Sequence, residues 1–392
     1  MNLKIVGLLL FSFSSFACAQ PLKVATFNVS MESTNYKALG LAPSAEVLKR
    51  VLSDGEHQQV KNIAEIIQRV KPDILLLNEF DYIADTSQGI ESFVKHYVNV
   101  PQNGQQAIDY KFFYVSTVNT GEPSVFDLDN NGKKEKYGGD AYGYGLYPGQ
   151  YGMAVLSKYP IETSDIRTFQ TFKWQHMPNA QKPITPASDA NEKPKPWYSD
   201  NEWQAFRLSS KSHWDIPVNV NGNIIHILAM HPTPPNFDGE EDRNGTRNHD
   251  EIRLMADYLN PERGAYIYDD TGQKQSLKEN DRFVLVGDFN AADIGDKHRP
   301  DVIEQLTESP LVNNTLIPTS VGGAEASSEA FSNRYTAYWG ARADYVLPSS
   351  YGFTVKDAGV FWPSKSDELH RLVKDRQASS DHRLVWVELL IE

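Results

Sequence analysis

The chain has 392 residues, 40% of them hydrophobic, which is enough to bury one large core or two smaller ones. Its formal net charge of −13 makes it a poor electrostatic partner for nucleic acid or an anionic membrane unless it carries a local basic patch or bound cations. The single cysteine, Cys18, excludes an internal disulfide, so stability has to come from an ordinary core.

Lys4, the largely apolar run from Ile5 to Phe16 and the small-residue end Ala17-Cys18-Ala19 read as a secretory signal cleaved after Ala19. The run is short for a bilayer span, and Phe16 stands where a lipid-anchor signal at Cys18 has a small residue. We therefore expect a secreted or periplasmic protein without stable membrane insertion. From Gln20 onward, apolar runs with strand character cover 22–29, 74–77, 112–115, 152–156, 224–230, 283–286, 344–347 and 384–389. Between the first two, Val60, Ile63, Ala64 and Ile67 recur at helical spacing before Pro72. Shorter helices are predicted over 251–259 and 301–306. Many strands with few helices suggest an α+β fold, two sheets packed face to face with helices outside. Residues 20–392 read as one domain, interrupted by long polar segments at about 119–150, 177–200 and 232–248. Loops of that length inside a domain are more often functional than decorative, so we expect them to wall a substrate cleft.

Polar residues suited to metal or proton chemistry recur where these apolar runs end. Thr26-Phe27-Asn28 closes the first, Asn78-Glu79 the second, and His231-Pro232 follows Met230. Gly287-Asp288-Phe289-Asn290 follows Val286, and Ser380-Asp381-His382 precedes the last run. Singly, each has a plain structural reading: Asn28 as a turn former, Glu79 as a solvated acid, Asp288 and Asn290 as a glycine-containing turn. Together, repeated acids, amides and imidazoles on rigid strand ends point to one assembled site.

With Arg342-Ala343-Asp344-Tyr345-Val346-Leu347 added, this ordered set resembles the endonuclease/exonuclease/phosphatase superfamily, the deoxyribonuclease I-like proteins, over about residues 22–390. Ala343 departs from the larger apolar residue usual before the aspartate. The resemblance implies a four-layer α/β/β/α sandwich of two mixed sheets, with the site at one rim. It implies a metal-dependent phosphoric ester hydrolase (phosphodiesterase, nuclease or phosphatase) in which water attacks phosphorus directly. It assigns Asn28, Glu79 and Asp381 to a divalent ion, and hard oxygen ligands of this kind suit Mg2+ or Mn2+. Asp288 and Asn290, two apart, would grip water and phosphate; His382, oriented by Asp344, and His231 would be the imidazoles. The expected partner is a phosphate ester, nucleic acid being admitted but not required, and the expected state is a monomer. A secreted nuclease is the alternative substrate reading. A non-catalytic binding module that kept the fold is the alternative of another class.

Two further patterns carry expectations. Read as a strand, Phe206 to Trp214 would put Arg207, Ser209, Lys211 and His213 on one face, where Arg207 and Lys211 could receive a substrate phosphate; a solvent-facing charged strand is the competing reading. Asp127-Leu128-Asp129-Asn130-Asn131-Gly132 has the oxygen rhythm of a structural Ca2+ loop, but Gly138 replaces the closing glutamate and only Asp140 could substitute. Phosphate-loop, dinucleotide, His-x-x-x-His zinc and serine-elbow templates are absent.

Overall fold

A computed structural model describes residues 20–188 and 192–392; the predicted signal at 1–19 lies outside the described residues. Strands run in chain order as β1 Gln20–Met31, β2 Ile74–Phe80, β3 Phe112–Val115, β4 Met153–Ser157 and β5 Arg167–Thr168. They continue as β6 Ile184–Thr185, β7 Lys195–Pro196, β8 His213–Val220, β9 Asn223–Met230, β10 Arg282–Asp288, β11 Asp344–Pro348, β12 Phe353–Val360 and β13 Val385–Ile391. The helices are α1 Ala45–Leu52, α2 Gln58–Val70, α3 Ile90–Phe93, α4 Asp200–Ala205, α5 Arg243–Tyr258, α6 Glu304–Thr307 and α7 Val321–Ala326.

One sheet has the order β12-β13-β1-β2-β4-β3, the other β11-β10-β9-β8-β5, and β6-β7 is a separate hairpin. Both large sheets are mixed, because β1 runs parallel to β2 and β9 parallel to β10 while the other pairs are antiparallel. Strand alternation explains the layering. In β9, Ile225, Ile227 and Ala229 join a core shared with β1, β2 and β13, whereas Leu228 and Met230 turn outward to pack with Ile252 and Met255 of α5. Val284 and Val286 of β10 likewise face the other sheet, and Leu285 faces α5. On the far side, Val60, Ile63, Ala64 and Ile67 of α2 join the first core. This helix stops where Lys71 turns left-handed (φ 56°), its N–H bonded to the Ile67 carbonyl at 2.8 Å, ahead of Pro72. Together these layers form the expected α/β/β/α sandwich.

Several boundaries differ from the sequence expectations. Helix α5 begins at Arg243, so the third polar segment ends as helix; its first turns are polar because Arg247 and Asn248 make buried hydrogen bonds. The helix expected over 301–306 is a single turn, Glu304–Thr307. Phe206 to Ser212 is irregular and β8 starts only at His213, because the Ser210 N–H is taken by the Glu251 carboxylate (2.5 Å) and not by a neighbouring strand. No helix of the described residues is long and apolar enough to cross a membrane.

Far from the strand ends that matter below, the β8–β9 pair carries a pH-sensitive contact. His226 Nδ1 lies 2.7 Å from Asp215 Oδ1, whose second oxygen accepts from the Tyr258 hydroxyl at 2.7 Å. Burial opposes the imidazolium, but Asp215 outweighs it and raises the His226 pKa above its ordinary 6.5. The resulting stability is therefore complete below pH 6.5 and is lost as pH rises through the raised value. Melting temperatures from pH 5 to 9 should show wild type exceeding His226→Gln most at the acid end; a gap constant with pH would count against the linkage.

Candidate active site

Register brings the polar strand ends together. Asn28 pairs with Asn78 across β1 and β2, and Asp288 with Asp344 across β10 and β11. Because Asn28 continues the row Leu22-Val24-Thr26, and Asp288 the row Val284-Val286, both side chains project between the sheets at the same edge. There Asn28 Nδ2 donates to Asp288 Oδ2 at 3.1 Å, across 260 residues of chain. His231 Nε2 approaches the same oxygen to 3.4 Å and His382 Nε2 to 3.5 Å. Asn78 Oδ1 accepts from Thr26 Oγ1 (3.1 Å) and from the Asp288 N–H (3.3 Å), fixing the backbone that presents the carboxylate. Gly287 precedes it with φ 152°, and any Cβ there would collide with the Met230 carbonyl oxygen, so β9 and β10 approach closely only around glycine.

The second oxygen of Asp288 accepts the Asn290 N–H at 3.1 Å, and Asn290 Nδ2 donates to the Pro232 carbonyl at 3.1 Å. His382 is held by Asp344, whose Oδ2 lies 2.8 Å from Nδ1 and also accepts from Thr336 Oγ1 at 2.7 Å; Trp339 meets the ring edge-on at 4.6 Å. Burial raises the Asp288 carboxyl and, with Asp344 and Glu79 adding to it against His382, holds it up to about 7. Burial also acts against the His382 imidazolium, yet Asp344 and Asp288 hold it up to about 10. His231 goes the other way: burial, with Lys211 and His382 nearby, pushes it well below its ordinary value, so it is the neutral imidazole of the pair. Two imidazoles and one carboxylate with separated proton affinities are the composition of an acid–base site.

Glu79 adopts a left-handed backbone (φ 56°) that breaks the alternation of β2; Ser30 (φ 47°), Tyr151 (φ 56°) and Asn290 (φ 52°) are left-handed too. Backbone strain of this kind, about 1–3 kcal/mol per residue, concentrates at functional clefts. Burial raises the Glu79 carboxyl, and the neighbouring Asp381 adds to it. Asp381 accepts from Ser30 Oγ at 2.8 Å; His382 and Arg376 overcome the burial penalty and lower its pKa. Arg376 is a residue the sequence analysis missed. It lies 3.2 Å from Asp381, 3.9 Å from Glu79 and 3.9 Å from buried Glu32, so three carboxylates share one guanidinium. The amide of Asn28 with the carboxylates of Glu79 and Asp381 is a hard-oxygen donor set in surplus negative charge, which suits a divalent cation. Asp288, Asp344 and His382 also bring ligand atoms within 4.8 Å of one another, but these atoms are already engaged between His382 and its two acids.

Glu79, His231, Asp288, Asn290, Arg376, Asp381 and His382 line a cleft of about 1220 Å3. Each long polar segment contributes to its wall, as expected: Tyr144 from the first, Tyr198 from the second, Phe237 from the third. The phosphate residues expected on an alternating strand separate. Lys211 opens into the cleft, whereas Arg207 stacks on Tyr142 (4.3 Å) and donates to Asn119 Oδ1 (2.7 Å), and His213 is wholly buried against Ser209. Alternation fails because the segment is not a strand. Carboxylate oxygens of Asp127, Asp129 and buried Asp140 lie within 4.8 Å of one another. Backbone N–H groups of Asn131 and Gly132 bond Asp127, that of Asn131 also bonds Asp129, and those of Leu128 and Glu135 bond Asp140.

A family model described as Endonuclease/Exonuclease/phosphatase family matches residues 25–382. No curated protein sequence matches the chain. Among solved structures the chain is similar to an endonuclease/exonuclease/phosphatase from Beutenbergia cavernae, with 17% identity over 95% of this chain and 72% of that one and a TM-score of 0.49. It is similar to the human Nocturnin catalytic domain with bound sulfate, at 15% identity, 95% of each chain and a TM-score of 0.45. A third similarity is to sphingomyelinase C from Streptomyces griseocarneus, at 14% identity, 94% of this chain, 99% of that chain and a TM-score of 0.45.

Proposed function

The chain belongs to the endonuclease/exonuclease/phosphatase family, and from that premise we propose that it hydrolyses a phosphodiester, with a divalent cation, by direct attack of water on phosphorus. The observation that carries this reading is the convergence of Asn28, His231 and His382 on one oxygen of Asp288. Asn28, Glu79 and Asp381 would hold Mg2+ or Mn2+, which when bound neutralises a phosphoryl oxygen and the charge growing on the leaving oxygen. Asp288 takes the proton of the attacking water, its carboxylate oriented by Asn28 and by the Asn290 N–H. His382, fixed through Nδ1 by Asp344, presents a charged Nε2–H to the phosphoryl group, and neutral His231 offers a second donor beside it.

A volume of about 1220 Å3 leaves room for a group on each side of phosphorus, which favours a diester over a monoester. The net charge of −13 favours a small or metal-bridged ester over tight tracking of a nucleic acid polyanion. The apolar leader supports an exported protein, to be checked by cell fractionation. The decisive assay compares bis-p-nitrophenyl phosphate, p-nitrophenyl phosphate, plasmid DNA and sphingomyelin, each with Mg2+ or Mn2+ and with EDTA. Diester cleavage that EDTA abolishes and added metal restores is the expected outcome. Saturable binding without turnover on any of the four would instead support a binding module.

A further inference from the structure

Lys211 is 6% exposed, and its side chain lines the cleft with Asp288, His231 and Glu79. Among the described residues its ammonium has no hydrogen bond and no ion pair. Its stem is buried while its ammonium end faces the open cleft, where Glu251, Glu79 and Asp288 act on it electrostatically without pairing with it.

The backbone around Lys211 is nevertheless fixed from several directions. Its carbonyl accepts the Asn119 N–H at 2.9 Å, and Asn119 Nδ2 bonds the Ser209 carbonyl at 2.8 Å. The neighbouring Ser210 N–H donates to Glu251 Oε1 at 2.5 Å, while Glu251 Oε2 accepts from Thr233 N–H at 2.6 Å, two residues past His231. One turn earlier on α5, Arg247 donates to the Leu208 carbonyl at 2.8 Å and the Tyr142 carbonyl at 2.6 Å. One buried polar face of a helix thus ties down the segments that carry Lys211 and His231. Burial lowers the Lys211 pKa, with Glu251, Glu79 and Asp288 opposing the fall.

Resting on the hydrolase reading above, we propose that Lys211 is a further catalytic residue, an ammonium aimed into the cleft to bind a non-bridging oxygen of the reacting phosphoryl group. It transfers no proton. It balances the anion that Asp288 and Glu79 would otherwise repel, and more strongly as charge builds in the transition state.

The test is Lys211→Met, which keeps the length and removes the charge, with Lys211→Gln as a second variant. Three quantities are measured on the Mn2+-loaded protein: kcat on bis-p-nitrophenyl phosphate, the Kd of inorganic phosphate by calorimetry, and Tm. The expected pattern is kcat down by about 10²-fold, phosphate binding weaker by about 10-fold, and Tm unchanged, because no hydrogen bond or ion pair within the protein is lost. Retention of both kcat and phosphate affinity within about 3-fold would overturn the assignment. So would loss of activity with a fall in Tm of several degrees in both variants, which is the behaviour of a structural lysine. The phosphate arm needs no turnover: if no diester is cleaved, the hydrolase reading fails while the effect of Lys211 on phosphate binding still reads the anion site.

Discussion

Asp288→Ala is expected to lower kcat on a diester by about 10²-fold or more while the protein stays folded. Three donors from three different strand ends face one oxygen of this carboxylate, and removing it takes away both the proton acceptor and their common partner. Asp288→Asn keeps the shape and separates the two effects: its circular dichroism and Tm should match wild type while kcat falls similarly. The wild-type rate should also carry an acid limb. A carboxyl held up to about 7 is protonated below that pH and cannot accept the water proton, so rate is lost as pH falls through it. A bound cation, by favouring the carboxylate, moves this limb downward. The limb should be absent in Asp288→Asn, and full activity of either variant in the presence of chelator would sink the mechanism.

The second large effect is expected at Asp344, whose Oδ2 lies 2.8 Å from His382 Nδ1. Asp344→Asn removes the negative charge that keeps the proton on Nδ1 and Nε2 aimed at the cleft, and losses of about 10²–10⁴ in kcat follow when such a pair is broken. His382 is charged up to about 10 in the wild type, so its contribution is lost as pH rises through that value. Without the Asp344 charge the imidazolium is less favoured, and the alkaline limb should move toward neutrality. A pH–rate profile, together with the histidine ring signals in NMR, reads both changes. An unmoved limb with unchanged kcat would show that Asp344 does not act on His382.

The strand-end residues were legible in the sequence because each sits where an apolar run stops, and alternation then decides which face it joins. That Asn28 and Asp288 touch is a consequence of sheet packing over 260 residues, which no local pattern encodes. Arg376 lay hidden in an irregular polar stretch with no period to give its side chain a direction. Glu251 and Arg247 were hidden differently: Glu251 opened a predicted helix, where a charged residue ordinarily reads as solvent-facing, Arg247 fell in a polar segment read as loop, and both are buried because loop backbones need partners. The reading of Arg207 and Lys211 as one phosphate face failed for the converse reason. It assumed a two-residue period in a segment that is not a strand, where the Leu208 N–H bonds the Phe172 carbonyl and the Ser210 N–H a Glu251 carboxylate, so of the two cations Lys211 alone lines the cleft.

Strand β13 is inserted between β12 and β1, and Asp381 and His382 immediately precede it. β1 can pair with β2 early in synthesis, but its other edge stays open until β13 is made, and Asp381 and His382 join the site only with that later strand. A chain cut ahead of Asp381 and β13 would keep Asn28, Glu79 and Asp288 but leave Asp344 without His382, and the unpaired edge of β1 would be open to pairing with another chain.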